Sequence, residues 1–355
     1  MRYIIIGAGA VGGTIGGHLA LAGREVVLAA RGAHLDALRD RGLRLSTPSG
    51  AGTIRAQAIG GPGEIGLRPG DVLVVATKSQ DSVAVLSEWA GQPVAGGGTA
   101  DQRLPVICAQ NGVANERFAL RRFRHVYGMC VWLPATHVAP GEVAAHGQPL
   151  AGLLWVGRYP AGTDETIERV AADLAGSRFL APVSPQVMRW KYRKLLGNLG
   201  NAIEALCGRP AAGAGAGPAR DLTERAAAEG VAVLDAAGID YATSAEVREV
   251  RGGHVDVAPV AGVPRSGGSS WQSLTRGTGS VEADFLNGEI VLLGREHGVH
   301  TPVNEALQRL ANRAAAGRLP PGSLTAEEIL AEAVAGDDTG QEAQSGEARP
   351  EKGSS

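Results

Sequence analysis

Lysine is nearly missing from this chain. Of its 34 lysine and arginine residues only four are lysine: Lys78, Lys191, Lys194 and Lys352. Arginine does the remaining cationic work, so each surviving lysine raises the question of what a guanidinium could not do there. A guanidinium stays protonated under ordinary conditions, whereas a lysine in a pocket can lose and regain its proton. Cysteine is scarce as well. Cys108, Cys130 and Cys207 are scattered and odd in number, which argues for a reducing, cytoplasmic setting and against a disulfide framework. Neither they nor the eight histidines fall at metal-ligand spacing, so no metal is expected. No apolar run approaches the roughly 20 residues of a membrane span. The opening run Ile4-Ile5-Ile6 stops at glycine, which reads as a buried strand and not as a signal peptide. A formal charge of −2 leaves no electrostatic case for nucleic acid or a membrane surface.

What is present is ample apolar material for a packed core, 44% of the chain, and a length of 355 residues that suggests roughly two to three domains. The first half alternates short apolar strands (3–6, 25–29, 72–76, 105–109) with helical segments (11–22, 33–41). Strands that are apolar throughout and alternate with helices argue for a parallel sheet covered on both faces. From 127 to 156 longer strands with turns between them read as antiparallel closure of a first domain, 1–184. After the linker-like Ala181-Pro182-Val183-Ser184-Pro185 the chain reads as helical, over the segment around Lys194 and over 219–237, 281–297 and 302–315. This is the second domain, 185–335, with Thr301 placed to cap a helix that has Pro302 at its first position. Glycine-rich loops are expected at 211–217 and 252–268, and a disordered polar tail over 336–355.

Gly7-Ala8-Gly9-Ala10-Val11-Gly12 follows a strand and opens a helix. In a dinucleotide-binding loop the first glycine permits the turn and the second admits a pyrophosphate to the backbone. The third lets helix and strand pack closely, with the helix N-terminus facing the phosphates. An NAD site usually carries an acid at the end of the second strand to bind the ribose hydroxyls. Here that strand ends Val27-Leu28-Ala29-Ala30-Arg31, with no acid, and Arg31 is suited to a 2′-phosphate. The expected cofactor is therefore NADP(H).

At about 100° per residue, Lys194, Asn198 and Asn201 fall in one stripe of a helix. Leu195, Leu199, Ala202, Ile203 and Leu206 make a separate apolar face. Arg193, Gly197, Gly200 and Glu204 supply a third, solvated one. Asparagine is a mediocre helix former, so two in a stripe need a reason. Lys78 and Asn111 follow apolar strands, at the edge of an open α/β sheet where ligands bind. Glu282 and Asp284 form an acidic pair in an otherwise apolar helical region. A cation, amide groups and proton-handling acids are thus available for a polar, anionic substrate.

With these residues in hand, the chain resembles the ketopantoate reductase family (2-dehydropantoate 2-reductases) over roughly residues 1–315. The blocks that carry the resemblance are the glycine loop with Arg31; Ala76-Thr77-Lys78-Ser79-Gln80; Gln110-Asn111-Gly112; Lys194-Leu195-Leu196-Gly197-Asn198; and Glu282-Ala283-Asp284-Phe285-Leu286-Asn287-Gly288 with Gly298-Val299-His300-Thr301-Pro302-Val303-Asn304. The resemblance implies an α/β protein with an N-terminal Rossmann-type dinucleotide-binding domain and a C-terminal all-helical domain. It implies NADPH-dependent reduction of ketopantoate to pantoate, a step of pantothenate biosynthesis. It assigns Lys194 as proton donor, Asn111, Asn198 and Ser270 as substrate contacts, Glu282 as the contact to the substrate hydroxyl, and Arg31 and Lys78 to the cofactor side. Three positions depart from the family pattern. Ala202 stands where a second asparagine is usual, with Asn201 one residue early and able to substitute for it. Leu274 replaces a common acid, and Trp271 a smaller neighbour. Because these departures fall on the substrate side, a different 2-oxo acid is a second expectation, and a non-catalytic NADP(H)-binding sensor a third. The expected partner is a small 2-oxo acid, and a homodimer is allowed for.

Overall fold

The computed structural model describes residues 1–208, 217–263 and 267–345. The chain divides into two compact units: Met1–Leu195 with Tyr241–Arg265, and Leu196–Asp240 with Ser266–Ser355. The division thus falls inside the helix Val187–Asn198, later than the expected boundary at 184, and a downstream segment returns to the first unit. Non-local pairing is the reason. Strand Val255–Val257 lies antiparallel to Gly147–Pro149, and Val247 of helix Ser244–Arg251 is buried with Leu153 and Trp155. Part of the expected 252–268 loop is therefore strand.

The first unit is built on an eight-stranded sheet. From edge to edge its strands are Phe179–Leu180, Gly152–Arg158, His125–Trp132, Pro105–Cys108, Asp71–Val75, Arg2–Ile6, Glu25–Ala29 and Gln57–Ile59. The run from His125–Trp132 to Gln57–Ile59 is parallel throughout. Counted along the chain, these parallel strands stand in the order 3-2-1-4-5-6 from the Gln57–Ile59 edge, that of the doubly wound dinucleotide-binding sheet. Gly152–Arg158 is antiparallel to His125–Trp132, as expected for 127–156. Within that stretch Glu142–Ala145 also pairs in parallel with Leu43–Thr47, completing a four-stranded sheet with Gly50–Ile54 and Ala135–Ala139.

Strand residues alternate between two buried faces. Tyr3, Ile5, Val26 and Leu28 pack with Ile15 and Leu19 of helix Ala10–Leu21, in one core with Leu43, Leu45, Ile54 and Val143 of the smaller sheet. Ile4, Ile6, Val27, Leu73 and Val75 face the other way, against Val85, Leu86 and Trp89 of helix Ser82–Ala90. A sheet covered on both sides needs apolar residues at every position, and this produces the unbroken apolar runs of the sequence.

Among its described residues the regular elements of the second unit are helices: Gly200–Cys207, Pro218–Ala236, Ser269–Thr275, Asn287–His297, Pro302–Ala316 and Ala326–Ser345, with a 3-10 turn at Ala283–Phe285. That turn divides the helix expected over 281–297. Thr301 stands at the expected N-cap position, but its hydroxyl does not cap. The Glu229 carboxylate accepts the Val303 and Asn304 N–H groups instead, each at 2.9 Å. The last helix passes through Gly336 to Ser345, so the expected tail begins inside a helix, whose Ile329 and Ala333 are buried one turn apart. The rest of that tail, 346–355, and residues 211–216 of the loop expected at 211–217 lie outside the described residues.

Candidate active site

Four adjacent parallel strands end at one edge of the main sheet: Arg2–Ile6, Asp71–Val75, Pro105–Cys108 and His125–Trp132. The first leads into the glycine loop. Gly7 has φ +98°, a left-handed conformation that favours glycine. A Cβ on Gly12 would stand 2.2 Å from the Gly7 carbonyl oxygen, so only glycine lets this helix approach its strand so closely. A Cβ on Gly9 would meet nothing within 4 Å, which leaves the backbone at the helix N-terminus open to a phosphate. His34 steadies the loop from behind. Its Nδ1 accepts the Gly141 N–H at 2.9 Å, so Nε2 carries the proton and donates to the Ala8 carbonyl at 2.8 Å. Burial pushes this imidazole below its ordinary pKa.

The turns after the next two strands carry Lys78 and Asn111, and a polar network stitches them together. Gln110 Nε2 donates to the Thr77 carbonyl at 3.1 Å and to Ser82 Oγ at 2.7 Å. Asn115 Nδ2 donates to Ser79 Oγ and to the Asn111 carbonyl, both at 3.1 Å, while Asn115 Oδ1 accepts from Ser82 Oγ at 2.7 Å. Asn115 and Ser82 are wholly buried, so the turns are held from beneath. Beside Gly7, the buried Thr77 Oγ1 has no hydrogen-bond partner among the described residues, a group that a bound polar ligand would satisfy.

The fourth strand ends in Trp132, over whose ring the half-buried Lys194 Nζ lies, 4.9 Å from the centroid. Desolvation lowers the Lys194 pKa from its ordinary value. The helix Val187–Asn198 that carries it is anchored by Trp190, which stacks on Trp155 at 4.5 Å, and by a wholly buried ion pair between Lys191 and Glu116. Sequence reasoning missed Trp132 and Glu116. The first was detectable as the end of an apolar strand at the same edge. The second had no local signal.

In the second unit, Leu199, Ala202, Ile203 and Leu206 are buried, as the wheel requires, and Asn198 is buried with its Nδ2 lacking a partner among the described residues. Asn201 is half-buried, with its Oδ1 close to Gly268. The expected single helix is interrupted after Asn198 and resumes at Gly200. Asn287 Nδ2 takes the Leu199 carbonyl at 3.2 Å and also donates to Asn304 Oδ1 at 3.0 Å, in a network that continues to Glu229. Ser270 is buried on helix Ser269–Thr275, and Glu282 is buried just ahead of the 3-10 turn. Asp284 does not pair with it. It is exposed and accepts from Gln308 Nε2 at 2.8 Å and Asn312 Nδ2 at 2.7 Å, tying the turn to helix Pro302–Ala316. Leu274 and Ala202 are core residues of this unit.

Arg31 stands at the end of the second strand with its side chain 73% exposed and a loose contact of 3.5 Å to Glu88. The loop, its open face and the unpartnered Thr77 hydroxyl fit a dinucleotide. Among the described residues no group of side chains could hold a metal ion.

Sheet order, glycine loop and a desolvated lysine at the same edge define an oxidoreductase of the doubly wound, dinucleotide-dependent class. Comparison with known proteins gives the family. A model described as ketopantoate reductase PanE/ApbA matches residues 3–161, and one described as its C-terminal part matches residues 186–315. The 2-dehydropantoate 2-reductase of Archaeoglobus fulgidus is 30% identical over 319 residues, covering 89% of this chain and 98% of that one. That of Halobacterium salinarum is 29% identical over 326 residues, covering 88% and 99%. The crystal structure of a PanE/ApbA family ketopantoate reductase from Ralstonia eutropha JMP134 matches with a TM-score of 0.73 at 28% identity, covering 90% of this chain and 99% of that chain. The chain belongs to the ketopantoate reductase family, oxidoreductases that act on a 2-oxo acid with a nicotinamide dinucleotide.

Proposed function

We propose that this protein reduces 2-dehydropantoate to pantoate with NADPH. The observation that carries the reading is Lys194, an amine lowered in pKa by desolvation and fixed at the carboxyl edge that also bears the glycine loop. Gly7, Ala8, Gly9, Ala10, Val11 and Gly12 would hold the pyrophosphate, Arg31 the 2′-phosphate, and Lys78 and Asn111 the end nearer the reacting carbonyl. When bound, the nicotinamide supplies the hydride that adds to the C2 carbonyl carbon. The carbonyl π pair moves onto oxygen as that bond forms, and Lys194 gives its proton to the developing alkoxide. A free lysine titrates near about 10.4. Desolvation lowers Lys194 from that value, which makes its ammonium the better acid. Asn198, Asn201 and Ser270 are assigned to orienting the substrate, and Glu282 to accepting its hydroxyl proton.

A second reading keeps the chemistry and changes the acid. Trp132 beside Lys194 and the half-buried Trp271 favour a larger 2-oxo acid. The deciding experiment is the oxidation of NADPH, and separately NADH, with 2-dehydropantoate and a panel of branched and aromatic 2-oxo acids. The first reading requires 2-dehydropantoate to lead the panel by at least tenfold in kcat/KM, with NADPH preferred. An aromatic acid in the lead would transfer the assignment to the second reading. Cofactor binding with no turnover of any acid would remove both and leave a sensor.

A further inference from the structure

Lys194 is not the only cation on Trp132. The Arg251 guanidinium carbon lies 5.8 Å from the same ring centroid, and cations are drawn to an indole face within about 6 Å. Arg251 is the last residue of helix Ser244–Arg251, which is closely tied to the helix of Lys194. Arg189 Nη1 meets Glu246 Oε1 at 3.1 Å, Arg193 Nη2 donates to Ser244 Oγ at 2.7 Å, and the Ala242 N–H donates to the Arg189 carbonyl at 3.1 Å. A capping box between Thr243 and Glu246 fixes the start of the Arg251 helix. Trp132 itself rests on a buried cluster of Cys130, Leu153, Trp155, Val247 and Val255. The ring is a rigid platform, and two interlocked helices deliver one cation each to it.

Arg251 has a structural task. Its Nε and Nη2 donate to the Val255 carbonyl at 3.0 and 2.8 Å. That task uses one edge of the fork and leaves Nη1 without an acceptor among the described residues. Neither Arg251 nor Lys194 is paired with a carboxylate among the described residues, in a chain where buried or half-buried cations such as Lys191 and Arg2 do have one. Two cations against one indole ring, neither with a carboxylate partner among the described residues, favour an anion beside them.

We propose that Arg251 binds the carboxylate of the 2-oxo acid substrate through Nη1, with Trp132 as the platform beneath it. The assignment rests on reading this site as that of a 2-oxo acid reductase. It leaves Lys194 free for the carbonyl oxygen and divides the substrate's two polar ends between the two helices.

The test compares 2-dehydropantoate with its neutral lactone, which keeps the 2-oxo group and lacks the free carboxylate. Arg251→Gln is expected to lower kcat/KM for the acid on the order of 30- to 100-fold, chiefly through KM. The lactone value should stay within about twofold, and Arg251→Lys should fall between for the acid. A merely structural role for Arg251 would lower both substrates together. That result, or an unchanged acid, overturns the proposal. Calorimetric titration of the full chain with oxamate, and with neutral oxamide as control, reads the site without turnover. Wild type should bind oxamate at least tenfold more tightly than Arg251→Gln does, and equal affinities overturn the proposal. Retained oxamate selectivity without turnover of either substrate would remove the reductase reading alone.

Discussion

Lys191 and Lys194 stand on the same helix and have unrelated tasks. Both passed the test of scarcity, which asked only what arginine could not do. They are separated by what the fold places opposite them. Lys191 meets Glu116 from 75 residues away in a pair that excludes water, whereas Lys194 meets an indole. Burial raises the Glu116 pKa, and the neighbouring ammonium opposes that shift. Lys191→Met leaves the Glu116 side chain buried and unpaired and should cost about 3–5 kcal/mol of stability in denaturant unfolding. The double variant Glu116→Leu/Lys191→Met should recover most of that loss. A double variant as unstable as the single one would show that the pair is not the cause. A second residue-scale case is His18, buried in helix Ala10–Leu21 with neither ring nitrogen bonded among the described residues and its edge against Phe179. Burial holds its pKa at about 4, below the ordinary 6.5. The unfolded chain therefore binds a proton that the folded one refuses. The stability involved is complete above pH 6.5 and is lost as pH falls towards 4, about 3 kcal/mol across that window. His18→Leu should flatten the melting temperature between pH 7 and 5, and an unchanged slope would assign the effect elsewhere.

At the scale of elements, the glycine loop separates folding from binding. Gly12 is packed against the Gly7 carbonyl and Ile5, while Gly9 faces open space. Gly12→Ala should weaken both, lowering stability by about 1–3 kcal/mol through overpacking and dinucleotide affinity with it. Gly9→Ala should fold and melt as wild type does, because its Cβ meets no protein atom, yet lose affinity at least tenfold by intruding on the pyrophosphate. Melting curves and fluorescence titration of the two variants measure this contrast. Comparable destabilisation by Gly9→Ala would mean that the loop is not open as described. These elements were legible because their signals are local: apolar runs, glycine spacing and a helix that begins where the strand ends. The helix break after Asn198 was not. It depends on Asn287, 88 residues later, taking the Leu199 carbonyl. The separation of Asp284 from Glu282 depends likewise on Gln308 and Asn312 reaching back from another helix.

For the whole molecule, the segment 241–265 shows why motifs locate a site better than they complete it. Read along the chain, its part from 252 onward belongs to the glycine-rich loop expected at 252–268. Folded, it returns to the first unit and pairs Val255–Val257 with Gly147–Pro149. It thereby brings Arg251 to Trp132, a meeting that no spacing within the chain announces. In the proposed reaction cofactor binding and proton delivery belong to separable groups, and pH distinguishes them. The proposed reduction uses Lys194 as ammonium, so kcat/KM for the 2-oxo acid should fall as pH rises through the Lys194 pKa. Desolvation moves that pKa below the ordinary lysine value, so the alkaline limb should begin earlier than a free amine would place it. NADPH affinity, proposed to be set at the glycine loop and Arg31, should stay level across the same range. Lys194→Ala should abolish the reduction and its alkaline limb together while NADPH still binds. Lys194→Arg should keep the charge and lose most of the turnover, because a guanidinium does not release its proton readily. A variant lacking the amine that still shows the same limb would mean that another group delivers the proton.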